Sequence, residues 1–239
     1  MTRSALAVAL PLILASCSQG NVAPEPTPSA TLPARSAPAS APAVAPKEPA
    51  ETEENCADRS GAPKLDTVDL SRVELASAPS RGRADAPVRI VVFCDFECPY
   101  CKRLTGTLAE LDRSYPGELR FVFKQLPLPM HENARTLAKA SLAAADQGKF
   151  WELHDELLSE QPVAPDSLGS LAEKVGLNGR LFQAALASPE LERRLDRELA
   201  DASAIGVRGT PTLIVNGRKI TGAQPLGTFR QVIDEELGR

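Results

Sequence analysis

Proline decides where this chain can fold. Eight of its 21 prolines, Pro24, Pro26, Pro28, Pro33, Pro38, Pro42, Pro46 and Pro49, crowd into one stretch, interleaved with Ala, Ser and Thr. Each fixes φ and removes a backbone donor, so neither a helix nor a strand ladder can run through them. Residues 18–55 also lack any hydrophobic period. With the residues up to 65 they read as a disordered Pro/Ala-rich linker, partly polyproline II, spanning on the order of 100 Å if extended. Regular structure is confined to 66–239, a length that suits one ordinary domain.

Ahead of the linker, Arg3 precedes an apolar run from Ala5 to Ala15, broken by Pro11, and then Leu14-Ala15-Ser16-Cys17. A charged start, a short apolar core and small residues before a cut form a secretory signal. The run is shorter than the ~20 residues that span a bilayer. The ending is similar to a bacterial lipobox, which makes residues 1–17 a lipoprotein signal peptide and Cys17 the lipidated new N-terminus. The alternative is a plain signal cut near Ala15. Either places the mature chain in the periplasm or on the extracytoplasmic face, and the lipobox adds a membrane anchor through Cys17.

Charge and composition exclude other classes. A net charge of −4 gives no basic field for non-specific nucleic-acid binding. Aromatic residues make up 4% of the chain, too few for a base-stacking platform. No nucleic-acid partner is expected.

The remainder reads as α/β. Val88-Arg-Ile-Val-Val-Phe93 is a β-branched apolar run suited to a strand buried on both faces. Leu104, Leu108, Leu111 and Tyr115 then fall on one helical face, closed by Pro116-Gly117. Leu119-Arg-Phe-Val-Phe-Lys124 is a second strand, which completes a βαβ unit. From Asn133 to about Ala204 the pattern is helical throughout. Ser188-Pro189 reads as a cap with proline at the first helical position. Thr212–Val215, the hairpin signal Asn216-Gly217, Arg218–Thr221 and an amphipathic segment from Leu226 to Leu237 give a closing ββα.

The chemistry concentrates at two places. Cys98-Pro99-Tyr100-Cys101 follows the first strand and opens the helix. A Cys-x-x-Cys there reads as a redox motif. Free amides and the positive end of the helix dipole favour a thiolate, so the Cys98 pKa is expected to fall from ~8.5 into the range of ~3.5–7.5. Pro99 suits the first helical position, where its missing N–H has no helical partner. Cys98 is expected to be the exposed nucleophile, with Cys101 deeper by one turn. The second place is Gly209-Thr210-Pro211-Thr212, at the entry to the third strand.

Asp95-Phe96-Glu97-Cys98-Pro99-Tyr100-Cys101, Gln147-Gly148-Lys149-Phe150-Trp151 and Gly209-Thr210-Pro211 together resemble the DsbA-like family of thiol–disulfide oxidoreductases, over roughly 73–239. The resemblance implies a thioredoxin-like fold (βαβ…ββα) with an inserted all-helical domain at about 131–204. It implies Cys98 as nucleophile, Cys101 as resolving cysteine and Pro211 as a cis-proline facing the pair. Thr210 and Pro211 would bind substrate through the Thr210 backbone. Val73-Glu-Leu75 is expected to add an edge strand. Two departures matter. Pro-Tyr stands where the best-known oxidases have Pro-His, so Tyr100 supplies no imidazolium and the disulfide should be less oxidising. Val92 stands where thioredoxin-like proteins often carry a buried acid.

Other candidates lie nearby. Asp95 is a capping or loop acid, or else a proton carrier for Cys101 through water. Glu97 is expected to be exposed and to raise the Cys98 pKa. His131 falls at the strand edge that also carries Cys98, as a loop histidine or a site neighbour. His154 reads as helix packing, Lys102 as a solvated face beside the thiolate. Cys94 reads as a buried small hydrophobe, Cys56 as a free thiol in the linker.

These residues point to a lipid-anchored enzyme exchanging disulfides with cysteine-containing exported proteins. A membrane or soluble redox partner would reset the pair. Oxidation is the favoured direction in an exported compartment. The alternatives are the same site run as reductase or isomerase, or a metal-binding lipoprotein. No cofactor or metal is expected, and the expected state is a monomer.

Overall fold

The structure is a computed structural model that describes residues 65–239. The signal segment 1–17, Cys17, the linker up to residue 64 and Cys56 lie outside the described residues.

A five-stranded sheet has β1 (Ser80–Gly82), β2 (Val88–Cys94), β3 (Leu119–Gln125), β4 (Thr212–Val215) and β5 (Arg218–Thr221) in the order β1-β3-β2-β4-β5. β2 is central because its side chains are buried on both faces, apart from Arg89. It pairs parallel to β3, with Ile90 opposite Phe121, and antiparallel to β4, with Ile90 opposite Val215. Helix α1 (Pro99–Ser114) makes the crossover between the parallel strands. Between β3 and β4 run α2 (Ala134–Ala145), α3 (Phe150–Ser159), α4 (Leu168–Lys174), α5 (Gly179–Leu186) and α6 (Pro189–Ala204). Helix α7 (Leu226–Glu236) ends the fold. This is a thioredoxin-like fold.

Strand alternation sorts the core. Val88, Ile90, Val92 and Cys94 share one cluster with Leu104, Leu108 and Leu111 of α1 and with Phe229, Val232 and Ile233 of α7. Val91 and Phe93 point the other way and join Val122, Ala202 and Ile205. The helical block is pinned at Phe123, whose ring meets Phe96, Phe150, Trp151 and His154 at centroid separations of 5.6, 5.2, 6.4 and 5.1 Å. The turn Asn216-Gly217 has φ of 46° and 99°, the pair of positive values a two-residue hairpin requires.

The expected edge strand at Val73–Leu75 does not form. The backbone there is satisfied by side chains instead: the Glu74 N–H donates to Asp201 and the Glu74 carbonyl accepts from Lys124 Nζ at 2.9 Å. Val73 packs into the second cluster. The edge is built by Ser80–Gly82, antiparallel to β3, with Ser80 opposite Val122. Gly82 has φ +93°, and a Cβ there would lie 2.2 Å from the Leu119 carbonyl oxygen. Gly82→Ala is therefore expected to cost at least about 2 kcal/mol and to detach β1. Hydrogen exchange at the β1–β3 amides would read this, and unchanged protection there would contradict it.

Candidate active site

The end of β2 turns directly into α1. The Cys98 N–H donates to the Asp95 carbonyl, closing the turn, and Cys98 is the extended N-cap residue (φ −73°, ψ 119°) with Pro99 first in the helix. The Cys101 and Lys102 amides donate to the Cys98 carbonyl at 3.0 and 3.2 Å. That geometry sets Cys101 one turn behind Cys98. The Asp95 N–H donates to Cys101 Sγ at 3.4 Å.

The second segment arrives from the far side of the helical block. The peptide bond Thr210–Pro211 is cis, and Cys98 Sγ donates to the Thr210 carbonyl at 3.5 Å. The two motifs, 112 residues apart, thus meet at one sulfur.

Two expectations for Cys98 require correction. It is 3% exposed, not open to solvent, and the exposed residues at this corner are Pro99 and Tyr100. Its thiol is also pushed up, not down, by the adjacent Cys101 thiol and then by burial, with the Thr210 side chain acting in the opposite sense. The helix start acts the other way but is outweighed: the Cys101 amide lowers the thiol as the smallest contribution, while the Cys98 side chain makes no capping bond and its S–H donates to the Thr210 carbonyl, which favours the protonated form. Burial raises the Cys101 thiol as well, followed by the contribution of Cys94.

Asp95 is 2% exposed and fully engaged. One carboxylate oxygen accepts from the Glu97 N–H at 2.8 Å; the other accepts from the Leu128 N–H and lies 2.7 Å from His131 Nδ1. Only its amide touches Cys101, so the loop-acid reading describes it, and the carboxylate is not aimed at that sulfur. His131 is thereby drawn into the site. Burial pushes its imidazole down, but the Asp95 bond and charge, with Cys98 and Glu97 nearby, outweigh this and raise it overall.

The remaining candidates fall elsewhere. Glu97 is half-buried and not exposed: its carboxylate accepts from the Asn133 backbone at 2.7 Å and side chain at 3.1 Å, tying the loop to the start of α2. Lys102 Nζ donates to the Ser159 carbonyl, which joins α1 to α3 and not to the thiols. His154 packs among aromatic rings, and burial lowers it.

A folded imidazole pKa above its unfolded value near 6.5 stabilises the fold below that pH, and the gain fades as pH rises through the folded pKa. The stability lost in His131→Ala should accordingly be largest near pH 5.5 and shrink by about pH 8.5. Urea midpoints of both proteins across that range measure this, and a constant difference would show that folding leaves the imidazole pKa unchanged.

A buried thiol pair at a helix start, facing a cis-proline across a thioredoxin-like sheet with a helical insertion, defines the class of thioredoxin-like oxidoreductases. A thioredoxin family model matches residues 76–235, and the chain belongs to that family. Among solved structures, a thioredoxin-like oxidoreductase from Silicibacter pomeroyi is 27% identical, with TM-score 0.63, covering 69% of this chain and 94% of that one. The thiol-disulfide exchange protein alpha-DsbA2 from Wolbachia pipientis shares the fold at 23% identity, with TM-score 0.62, over 69% and 90% of the two chains. Among curated proteins, the Na(+)/H(+) antiporter NhaA of Herminiimonas arsenicoxydans is 37% identical over 155 residues, 64% of this chain. The match spans about a quarter of that relative's length.

Proposed function

We propose that this chain is a lipid-anchored, extracytoplasmic thiol–disulfide oxidoreductase that forms or exchanges disulfides in exported proteins. The observation that carries the reading is Cys98 Sγ held against the carbonyl of Thr210, the residue before the cis-proline Pro211, with Cys101 behind it. A substrate thiolate attacks Cys98 Sγ of the oxidised pair, and Cys101 leaves as a thiolate and takes up a proton. A second substrate thiolate then attacks the substrate sulfur of the mixed disulfide. The substrate leaves oxidised and Cys98 leaves reduced.

Neighbouring groups support this cycle. Imidazolium at His131 and the buried Thr210 hydroxyl, which makes no hydrogen bond in the dithiol, both favour a Cys98 thiolate when one forms. An extended substrate can pair with the Thr210 backbone, and Tyr100, 52% exposed, offers an aromatic rim. Cys17 would tether the domain through the linker to a bacterial membrane. A redox partner would reset the pair, and the chain would act as a monomer.

The test is Cys101→Ser expressed in a bacterial host. Mixed disulfides between Cys98 and exported proteins should accumulate and vanish on reduction; their absence would overturn the reading. Direction is read from the reduction potential. With Tyr100 between the cysteines it should lie below DsbA's ~−120 mV; a value near thioredoxin's ~−270 mV would instead assign reduction.

A further inference from the structure

A third sulfur lies beside the pair. Cys94 ends β2 and is 3% exposed. Its side chain falls on the sheet face covered by α1, in one cluster with Cys98, Cys101 and Leu104. The next amide, that of Asp95, contacts Cys101 Sγ at 3.4 Å, so the strand end is seated against that sulfur. The Cys94 thiol acts on Cys101 in turn, raising it further after burial. Cys101 therefore has a thiol neighbour on either side, and the cycle above uses only one of them.

We propose that Cys94 is a further redox-active cysteine, which exchanges with the Cys98–Cys101 disulfide to give a Cys94–Cys101 disulfide and a free Cys98 thiol. The proposal rests on the thiol-exchange function proposed above. Cys94, as thiolate, attacks Cys101 Sγ. The Cys94–Cys101 bond forms, the Cys98–Cys101 bond breaks, the electron pair leaves on Cys98, and the proton given up by Cys94 ends on Cys98. One disulfide and one thiol stand on each side, so no outside oxidant is needed. In the product, Cys98 is a nucleophile whose resolving partner is occupied. It attacks a substrate disulfide, and only a substrate thiol releases it. Substrate disulfides are then rearranged without net oxidation, a second activity of the same pocket.

The test uses the full-length chain, reduced and then reoxidised with oxidised glutathione. Free thiols are blocked in denaturant with N-ethylmaleimide; disulfides are then reduced and their thiols labelled with iodoacetamide. A single tryptic peptide, Ile90–Lys102, contains Cys94, Cys98 and Cys101, so tandem mass spectrometry assigns the label at each. The wild type should show a population labelled at Cys94 and Cys101 beside one labelled at Cys98 and Cys101. In Cys98→Ser, label at Cys94 should rise at least about tenfold over the unoxidised sample. Cys98→Ala serves if the serine variant does not fold. Label at Cys98 and Cys101 but never at Cys94 in the wild type, with no rise at Cys94 in a folded variant, overturns the role of Cys94 alone. Failure of the wild type to pair Cys98 with Cys101 overturns the thiol-exchange reading itself.

Discussion

Cys98→Ser is expected to abolish turnover, with a loss of at least about a thousandfold, while the circular dichroism spectrum stays that of the wild type. The size of the effect follows from what the hydroxyl cannot do. A serine oxygen in this pocket is neither appreciably ionised at neutral pH nor able to form a disulfide, so no mixed disulfide arises at position 98 and the cycle has no first step. The substitution is nearly isosteric, and the hydroxyl can still donate to the Thr210 carbonyl as the thiol does. Packing around Phe96 and Leu104 should therefore survive. Oxidation of a dithiol peptide, followed by loss of free thiol, measures the activity. Retention of more than a few per cent of the wild-type rate would mean that another cysteine is the nucleophile.

Phe123→Ala should give the largest loss of stability. The ring is 2% exposed and sits where β3, the loop before Cys98 and α3 meet, in contact with four other rings. Truncating a buried phenylalanine costs about 3–5 kcal/mol, because the transfer gain is lost and a cavity remains. Edge-to-face partners add to the loss, since ring pairs contribute about 0.5–1.5 kcal/mol beyond their buried area. Against a total stability of about 5–15 kcal/mol, this separates a robust domain from a marginal one. Urea unfolding followed by fluorescence of Trp151, the one tryptophan, reports it directly. A midpoint unchanged from wild type would show that the neighbouring rings close the gap.

Most of this architecture could be read from pattern. The β-branched run ending at Cys94, the Cys-x-x-Cys at a helix start and the Asn216-Gly217 turn depend on local physics, and local physics is written in adjacent residues. Asp95 and His131 show where that reading stops. Each was visible as a candidate, but their hydrogen bond depends on how the β3–α2 loop folds back over the end of β2, which no spacing encodes. The rotamer of Cys98 is a similar case. Helix-start electrostatics argued for an easily ionised thiol, yet the sulfur turns to the Thr210 carbonyl, a partner more than a hundred residues away in sequence. Glu198 gave no signal at all. It sits on an amphipathic helix among exposed charges, but is 4% exposed and accepts the Gln125 N–H at 2.6 Å. Val73–Leu75, expected from the family resemblance to add a strand, forms none because Lys124 and Asp201 supply hydrogen bonds that only the folded chain brings there.

The loop that presents the nucleophile is moored to the helical insertion at two points. Glu97 holds the backbone and side chain of Asn133, and the side-chain amide of Gln161 donates to the Phe96 carbonyl. Cap and catalyst are consequently one mechanical unit. A miniaturised version with the helices excised would keep both cysteines in its sequence and lose the scaffolding that aims them. Strain applied to the outer helices, by a docking partner or a crosslink, has a short route to the sulfur.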